Sequence, residues 1–399
     1  MMCAEPIDTP VQKPRPRWLK YLLRGFLASV LLFVISVLVL GYIFLYGPYL
    51  PDLPTSALKV SFDGDSRQLA ATQIVPTLDT PVEPGKNVIY CASFIAAWKS
   101  LQNDVAGSSI SIAGAGEVSD RLNSAADPKD YVPAESLYAA AGWVNKGILD
   151  TIASEMHSRF PAEKSPDFPG ITPDSFVAFA HMEASVHFTT PYFDSREPLI
   201  FTGGDGSSTK VRSFGIREKD SDAYSRLRAQ PQVLFVGDIG LLSQSQASYF
   251  AIDLCGDFLP SQVIVAHMDP RHTLAEMLAF VNERIAASAG YTNSLGPTDV
   301  LLVPDMLWRL VHHYDEIEKS NLSGNKPLGL QPENVAMQSI TFRLDRSGAE
   351  LKSQVKSYVG AMPVDYVLDR PFLVIMKERS ATEPYFVMWV DNAELLQKW

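Results

Sequence analysis

Cysteine is scarce in this chain: Cys3, Cys91 and Cys255 are the whole complement of 399 residues. That excludes a disulfide scaffold and any zinc module closed by four thiolates. An excess of cations is missing too, since 34 Lys+Arg against 45 Asp+Glu leave a formal net charge of −11. Binding to a phosphate backbone draws on clustered Lys and Arg, so nucleic acid is not an expected partner. No HExxH, CxxC or Gly-x-Ser-x-Gly occurs, and the histidines cluster only at His267-Met-Asp269 and His312-His313. No metal and no cofactor is expected from such spacing. Gly114-Ala-Gly116 lacks the third glycine of a dinucleotide loop, and Gly203-Gly-Asp-Gly reads as a turn. Ser56-Ala-Leu-Lys59 and Ser353-Gln-Val-Lys356 match Ser-x-x-Lys at the level of chance. Nothing assembles an acid, a base and a nucleophile, so the expectation is a protein that is not an enzyme.

What is present is first of all a long apolar run. Residues 25–47 read GFLASVLLFVISVLVLGYIFLYG without one charge. At about 1.5 Å per residue, a helix of this length crosses a hydrocarbon core of about 30 Å. Lys13, Arg15, Arg17, Lys20 and Arg24 precede it, and no basic residue follows until Lys59. This asymmetry predicts a cytoplasmic basic tail over 1–24, a transmembrane helix over 25–47, and an extracytoplasmic remainder, periplasmic or extracellular. A cleaved signal peptide would have a shorter apolar stretch ending in small residues, whereas this one ends in Tyr-Gly-Pro-Tyr. Residues 48–86, rich in Pro, Asp and Thr, read as a linker and lead-in with one strand candidate at 58–62. Residues 87–399 then form the main domain. Two readings stay open for Cys91 and Cys255, which sit in apolar surroundings: separate buried thiols, or one disulfide in an oxidising compartment.

Within the domain, 87–91 is strand-like and leads into a helical pattern over 92–101. Pro133 opens a second helical pattern running to Met156. Residues 176–188 alternate as an uninterrupted central strand, and 232–236, 249–254 and 262–266 follow as strands. Thr273-Leu-Ala-Glu276 is a capping box for a helix to about Ala287. Further strands are expected at 300–303, 339–344, 349–359, 372–376 and 385–390. Helices first and strands later predict an α+β fold.

Six segments, in the family's order along the chain, carry a resemblance. Val367-Leu-Asp-Arg-Pro-Phe-Leu-Val-Ile-Met-Lys-Glu and Tyr385-Phe-Val-Met-Trp-Val are similar to the closing strands of the serpin superfamily, with Trp389 replacing a glycine. Ile340-Thr-Phe-Arg-Leu-Asp-Arg-Ser-Gly-Ala-Glu resembles the strand and hinge that open the family's reactive loop; Arg346 stands where the family has Glu. Asn87-Val-Ile-Tyr-Cys-Ala-Ser-Phe resembles its strand-to-helix passage, and residues 249–280 its paired strands and following helix. Residues 176–192 resemble its central strand, with Ala180 in place of an asparagine and Phe188 in place of a tryptophan. The resemblance implies a serpin-like fold: a large central mixed or antiparallel sheet, additional sheets and surrounding helices.

It also implies a site. In serpins a protease cuts an exposed loop, and the loop's first part then enters the large sheet as a new strand. The hinge would be Arg346, Ser347, Gly348, Ala349 and Glu350, and the scissile region Gly360, Ala361, Met362 and Pro363. Ala349, Leu351, Ser353 and Val355 alternate with Glu350, Lys352, Gln354 and Lys356, the period an inserting strand needs. The bulk of Leu351, Lys352 and Gln354 and the proline after Met362 oppose fast trapping. The expected function is therefore an anchored extracytoplasmic serpin-like protein, protein-binding or protease-regulating through a loop near 346–371, weakly or non-inhibitory. The expected partners are the membrane and a protease or other protein. The alternatives are a tethered scaffold or ligand-binding ectodomain without protease interaction, and an enzyme with an unrecognised site.

Overall fold

The computed structural model describes residues 58–217, 227–237, 248–256, 259–288, 293–325, 328, 334–347 and 364–399. The expected basic tail, Cys3 and the apolar run 25–47 lie outside them. Among the described residues no helix is long and apolar enough to cross a membrane.

Three sheets organise the described residues, and the architecture is α+β with a large mixed sheet. The first has the order Phe62–Asp65, Met306–His313, Val335–Leu344, Phe176–Ser185, Leu137–Trp143. The second runs Asn293–Ser294, Gln232–Val236, Phe250–Asp253, Ser261–His267, Phe372–Glu378, Phe386–Val390, Asn87–Cys91, Thr72–Val75. The third is Asp365–Val367, Val300–Pro304, Ser213–Ile216, Phe193–Asp194. In the second sheet every pairing is antiparallel except that of Thr72–Val75 with Asn87–Cys91.

The strand Phe176–Ser185 is buried on both faces, which is why its sequence is apolar at odd and even positions alike. Phe176, Ala178, Ala180, Met182 and Ala184 enter the main core. Val177 and Phe179 enter a second cluster with Ile152, Met156 and Phe160. Helix Ser93–Ser100 packs on the inner face of this sheet through buried Phe94, Ile95, Ala97 and Trp98. Phe94 stacks on Tyr314 with ring centroids 3.6 Å apart. Trp308, Phe342 and Phe386 stack in series, at 5.0 and 4.7 Å, and so join the first sheet to the second.

Several expected elements stand where the pattern put them. Asn87–Cys91 and Gln232–Val236 are strands, and Leu274–Ala287 is a helix. Thr273 caps that helix, its Oγ1 accepting from Glu276 N at 3.1 Å; the Glu276 carboxylate reaches back to His272 N, one residue beyond the Thr273 N–H that a closed box would use. The long helix expected from Pro133 to Met156 is not there. Leu137–Trp143 is instead an edge strand paired with Phe176–Ser185, and helix begins only at Ile148, after Gly147 at φ +83°. The alanines at 139–141 favour helix locally, but docking on the buried strand outweighs a propensity worth tenths of a kcal/mol per residue. The lead-in also supplies strands, Phe62–Asp65 and Thr72–Val75, where only 58–62 had been expected.

Gly215 fits the third sheet for a steric reason. Its φ is +152°, and a Cβ there would lie 1.8 Å from the Leu301 carbonyl oxygen of the neighbouring strand. The expected Gly203 turn closes the hairpin of Leu199–Thr202 and Ser208–Val211. Cys91 and Cys255 are both buried free thiols, so the bridge left open by the sequence is not formed. Cys91 Sγ lies 3.2 Å from Ser93 Oγ instead, and burial pushes both thiols up, Cys91 to about 11.

Candidate functional site

The first sheet contains a seam. Val335–Leu344 runs parallel to Phe176–Ser185, in register from Val335 opposite Val177 to Arg343 opposite Ser185. Their outer neighbours, Met306–His313 and Leu137–Trp143, are antiparallel to them. Both walls of the seam thus end at the same edge, and the chain leaves the second wall there, after Leu344. A strand that turned back from that point would be antiparallel to both walls, the arrangement that lets an extra strand satisfy two rows of backbone groups.

Polar side chains hold the seam on both faces. On the inner face Gln338, fully buried, donates from Nε2 to Cys91 O at 3.0 Å and to Ser93 Oγ at 2.7 Å; it accepts from Tyr314 OH at 2.8 Å. On the outer face His181 Nδ1 lies 3.3 Å from Ser339 Oγ, its register partner across the seam. Phe160 covers the ring edge-on at 4.4 Å. Burial, with Arg159 adding to it, brings His181 down to about 4, so the ring is neutral at pH 7. Its Nε2 is buried and has no hydrogen-bond partner among the described residues.

Where the chain leaves the seam, the root of the loop is tied down. Tyr192 N donates to Arg346 O at 3.0 Å and Phe188 N to Ser347 O at 3.3 Å. The Arg346 guanidinium donates to Asp194 Oδ2 at 3.1 Å. Asp345 accepts from Arg343 Nε at 2.6 Å and from Ser347 N at 2.7 Å. Phe188, Tyr192 and Phe214 pack ring to ring beneath, and Tyr192 OH donates to Leu254 O at 2.8 Å. Asp305 sits in the same neighbourhood, between strands of two sheets, with Arg212 Nε at 3.7 Å. No hydrogen bond reaches either of its oxygens among the described residues. Burial first, then Asp194, pushes its carboxyl up to about 8 against the pull of Arg212 and Arg346.

The chain returns at Val364, whose N donates to Asp299 Oδ1 at 2.9 Å and whose carbonyl accepts from Val300 N at 3.0 Å. Asp365–Val367 then runs parallel to Val300–Pro304 at the sheet's edge.

Of the expected hinge, Arg346 and Ser347 stand at the root just described. Gly348, Ala349, Glu350 and the scissile residues Gly360, Ala361, Met362 and Pro363 lie outside the described residues, as does the strand expected at 349–359. Sequence reasoning missed the groups that hold the seam and root: Gln338, His181 with Ser339, Asp194 and Asp305. A buried alternation marks each strand, but no local pattern tells which polar residue on it will find a partner from a distant segment. The Ser66–His312 pair, at 2.7 Å, also escaped notice. Ser66 is buried, and burial brings His312 down to about 4, so this pair pins a turn instead of forming an exposed nucleophile and base. Among the described residues no group of acidic, His or Cys side chains is placed to hold a metal ion.

No family model matches the chain, and no curated protein matches it. Solved structures do match. The native state of tengpin, a thermophilic serpin, shares 10% identity over 79% of this chain and 90% of its own, with a TM-score of 0.49. Human glycosylated kallistatin shares 14% over 77% and 92%, with a TM-score of 0.48. Manduca sexta serine protease inhibitor (serpin)-12 shares 12% over 78% and 94%, with a TM-score of 0.47.

Proposed function

We propose that the chain is a membrane-anchored, extracytoplasmic serpin-like protein that offers its 346–371 loop to a protease or another protein and inhibits weakly or not at all. The observation that carries this reading is the parallel seam, from whose end the loop departs: an inserted strand there would be antiparallel to both walls. The alternation of 349–356 suits such a strand. Slow or absent trapping follows from what insertion must undo. The walls are hydrogen-bonded to each other along the seam, Gln338 is tied to Ser93 and Tyr314, and His181 meets Ser339 across it. Leu351, Lys352 and Gln354 would then have to enter a packed sheet, which costs more than small side chains would. Anchoring rests on the apolar run 25–47 and the basic residues before it.

The test is exposure of the full chain to a panel of proteases, read on denaturing gels and by melting. The expected outcome is cleavage between 348 and 363 with no protease-linked band and little thermal gain. A protease-linked band that survives denaturation would replace this reading with that of an inhibitor. Proteases that cut other surface loops and spare 348–363 would leave the tethered scaffold. Retention in membranes after alkaline carbonate extraction tests the anchor.

A further inference from the structure

One pole of the molecule presents a row of side chains that the loop and the seam do not use. In the hairpin, Ile200 pairs with Lys210 and Leu199 with Val211. The last residues extend this hairpin as a third line. Arg212 N donates to Gln397 O at 2.9 Å, Val211 bridges to Lys398, and Trp399 N donates to Lys210 O at 3.1 Å. Cross-strand partners share a face and successive residues alternate. Leu199 and Val211 face inward and are buried; Ile200, Lys210 and Trp399 therefore stand side by side on the outer face. Ile200 is 47% and Trp399 56% exposed.

The described chain begins at the same pole. Gln397 Nε2 donates to Lys59 O, and Ser61 Oγ donates to Leu395 O at 3.0 Å. Lys59 is exposed and Val60 is 37% exposed. Of the exposed large hydrophobics among the described residues, Val60, Ile200, Val236 and Trp399, three gather here. The acidic neighbour Glu394 is turned to Ala70 N, Ala71 N and Thr72 Oγ1. Residues 48–57, fully extended at about 3.5 Å each, reach no more than about 35 Å beyond the apolar run.

We propose that this row is a lipid-facing surface: Trp399 and Ile200 seat at the headgroup boundary of the membrane that holds the chain, and Lys210 and Lys59 meet lipid phosphates. The proposal rests on the anchor reading. A tryptophan flanked by lysines suits that boundary, because its ring is apolar at one end and an N–H donor at the other, while lysine stems lie along apolar surface and keep their charge wet. The local cations meet the phosphates of the headgroups although the whole chain is acidic.

The full chain is reconstituted in phosphatidylcholine–phosphatidylglycerol vesicles, with and without bromine on the upper acyl carbons. Wild type minus Trp399→Phe emission isolates Trp399. The expected result is a blue-shifted difference spectrum that brominated lipid quenches, and a smaller quench in Lys210→Glu. Retention of the chain after carbonate extraction, with difference emission unaffected by bromine, would overturn the surface while leaving the anchor. Shielding from aqueous iodide without bromine quenching would mean that a protein, such as a second copy, covers the row, and would overturn it as well. Release of the chain by carbonate would overturn the anchor and the surface together.

Discussion

The two large sheets solve the burial problem differently. The middle of the second, Val263–Ala266 beside 372–376 and 386–390, is an unbroken apolar field of antiparallel strands. The middle of the first is a parallel seam with an amide on one face and an imidazole–hydroxyl contact on the other. Apolar packing resists change without depending on any one partner, whereas a buried polar contact is stable only while each group keeps its mate. The first sheet thus concentrates its conditional interactions along the line where the proposed strand exchange would occur, and the second serves as its fixed backing.

Mutations can break this contrast. The largest effect is expected in the fixed sheet: Phe386→Ala removes the ring stacked 4.7 Å from Phe342 and should cost about 3–5 kcal/mol in denaturant midpoints. Gln338→Ala at the seam removes the acceptor of the Tyr314 hydroxyl and the amide donor to Ser93 Oγ, an expected loss of about 1–3 kcal/mol. If the seam is the conditional part, this smaller loss should nevertheless speed proteolysis of 348–363 more than Phe386→Ala does.

Titration sharpens the contrast further, with opposite signs at two places. His181 lies at about 4, below its ordinary 6.5, so its contribution stands above pH 6.5 and is lost as pH falls toward 4. Asp305 lies at about 8, above 3.8, so its contribution is full below pH 4 and drains away as pH rises to 8. Asp305→Asn should therefore raise the melting midpoint more at pH 8.5 than at pH 5; equal shifts at both would show that the site does not titrate. His181→Asn should flatten the acid side of the melting profile. At the loop root, Arg346→Gln removes the guanidinium that meets Asp194 in a pair only 12% and 15% exposed, an expected loss of about 1–3 kcal/mol.

Strands with two buried faces or clean alternation were legible in the sequence, as at Asn87–Cys91 and Phe372–Glu378, because their own residues carry the signal. The segment around Leu137–Trp143 was not. Alanine and glycine there speak for helix or turn, and only the distant strand at 176–185 makes them an edge. The Met306–His313 strand was equally hidden, its polar Arg309, His312 and His313 masking the alternation of Met306, Trp308 and Leu310. At the candidate site, Arg346 and Ser347 were placed by resemblance. Asp194 and Asp305 could not be, since their proximity to Arg346 exists only once the first and third sheets are assembled.

Gly215 has one more implication. Because the oxygen of Leu301 occupies the volume of any β-carbon at that position, the two strands are in contact through a missing atom. A saturation library would read there as an empty column, alanine included, while its neighbours tolerated exchange. Such a position dates the closeness of the strands better than any bulky core residue, for it can be kept only as long as they stay that near.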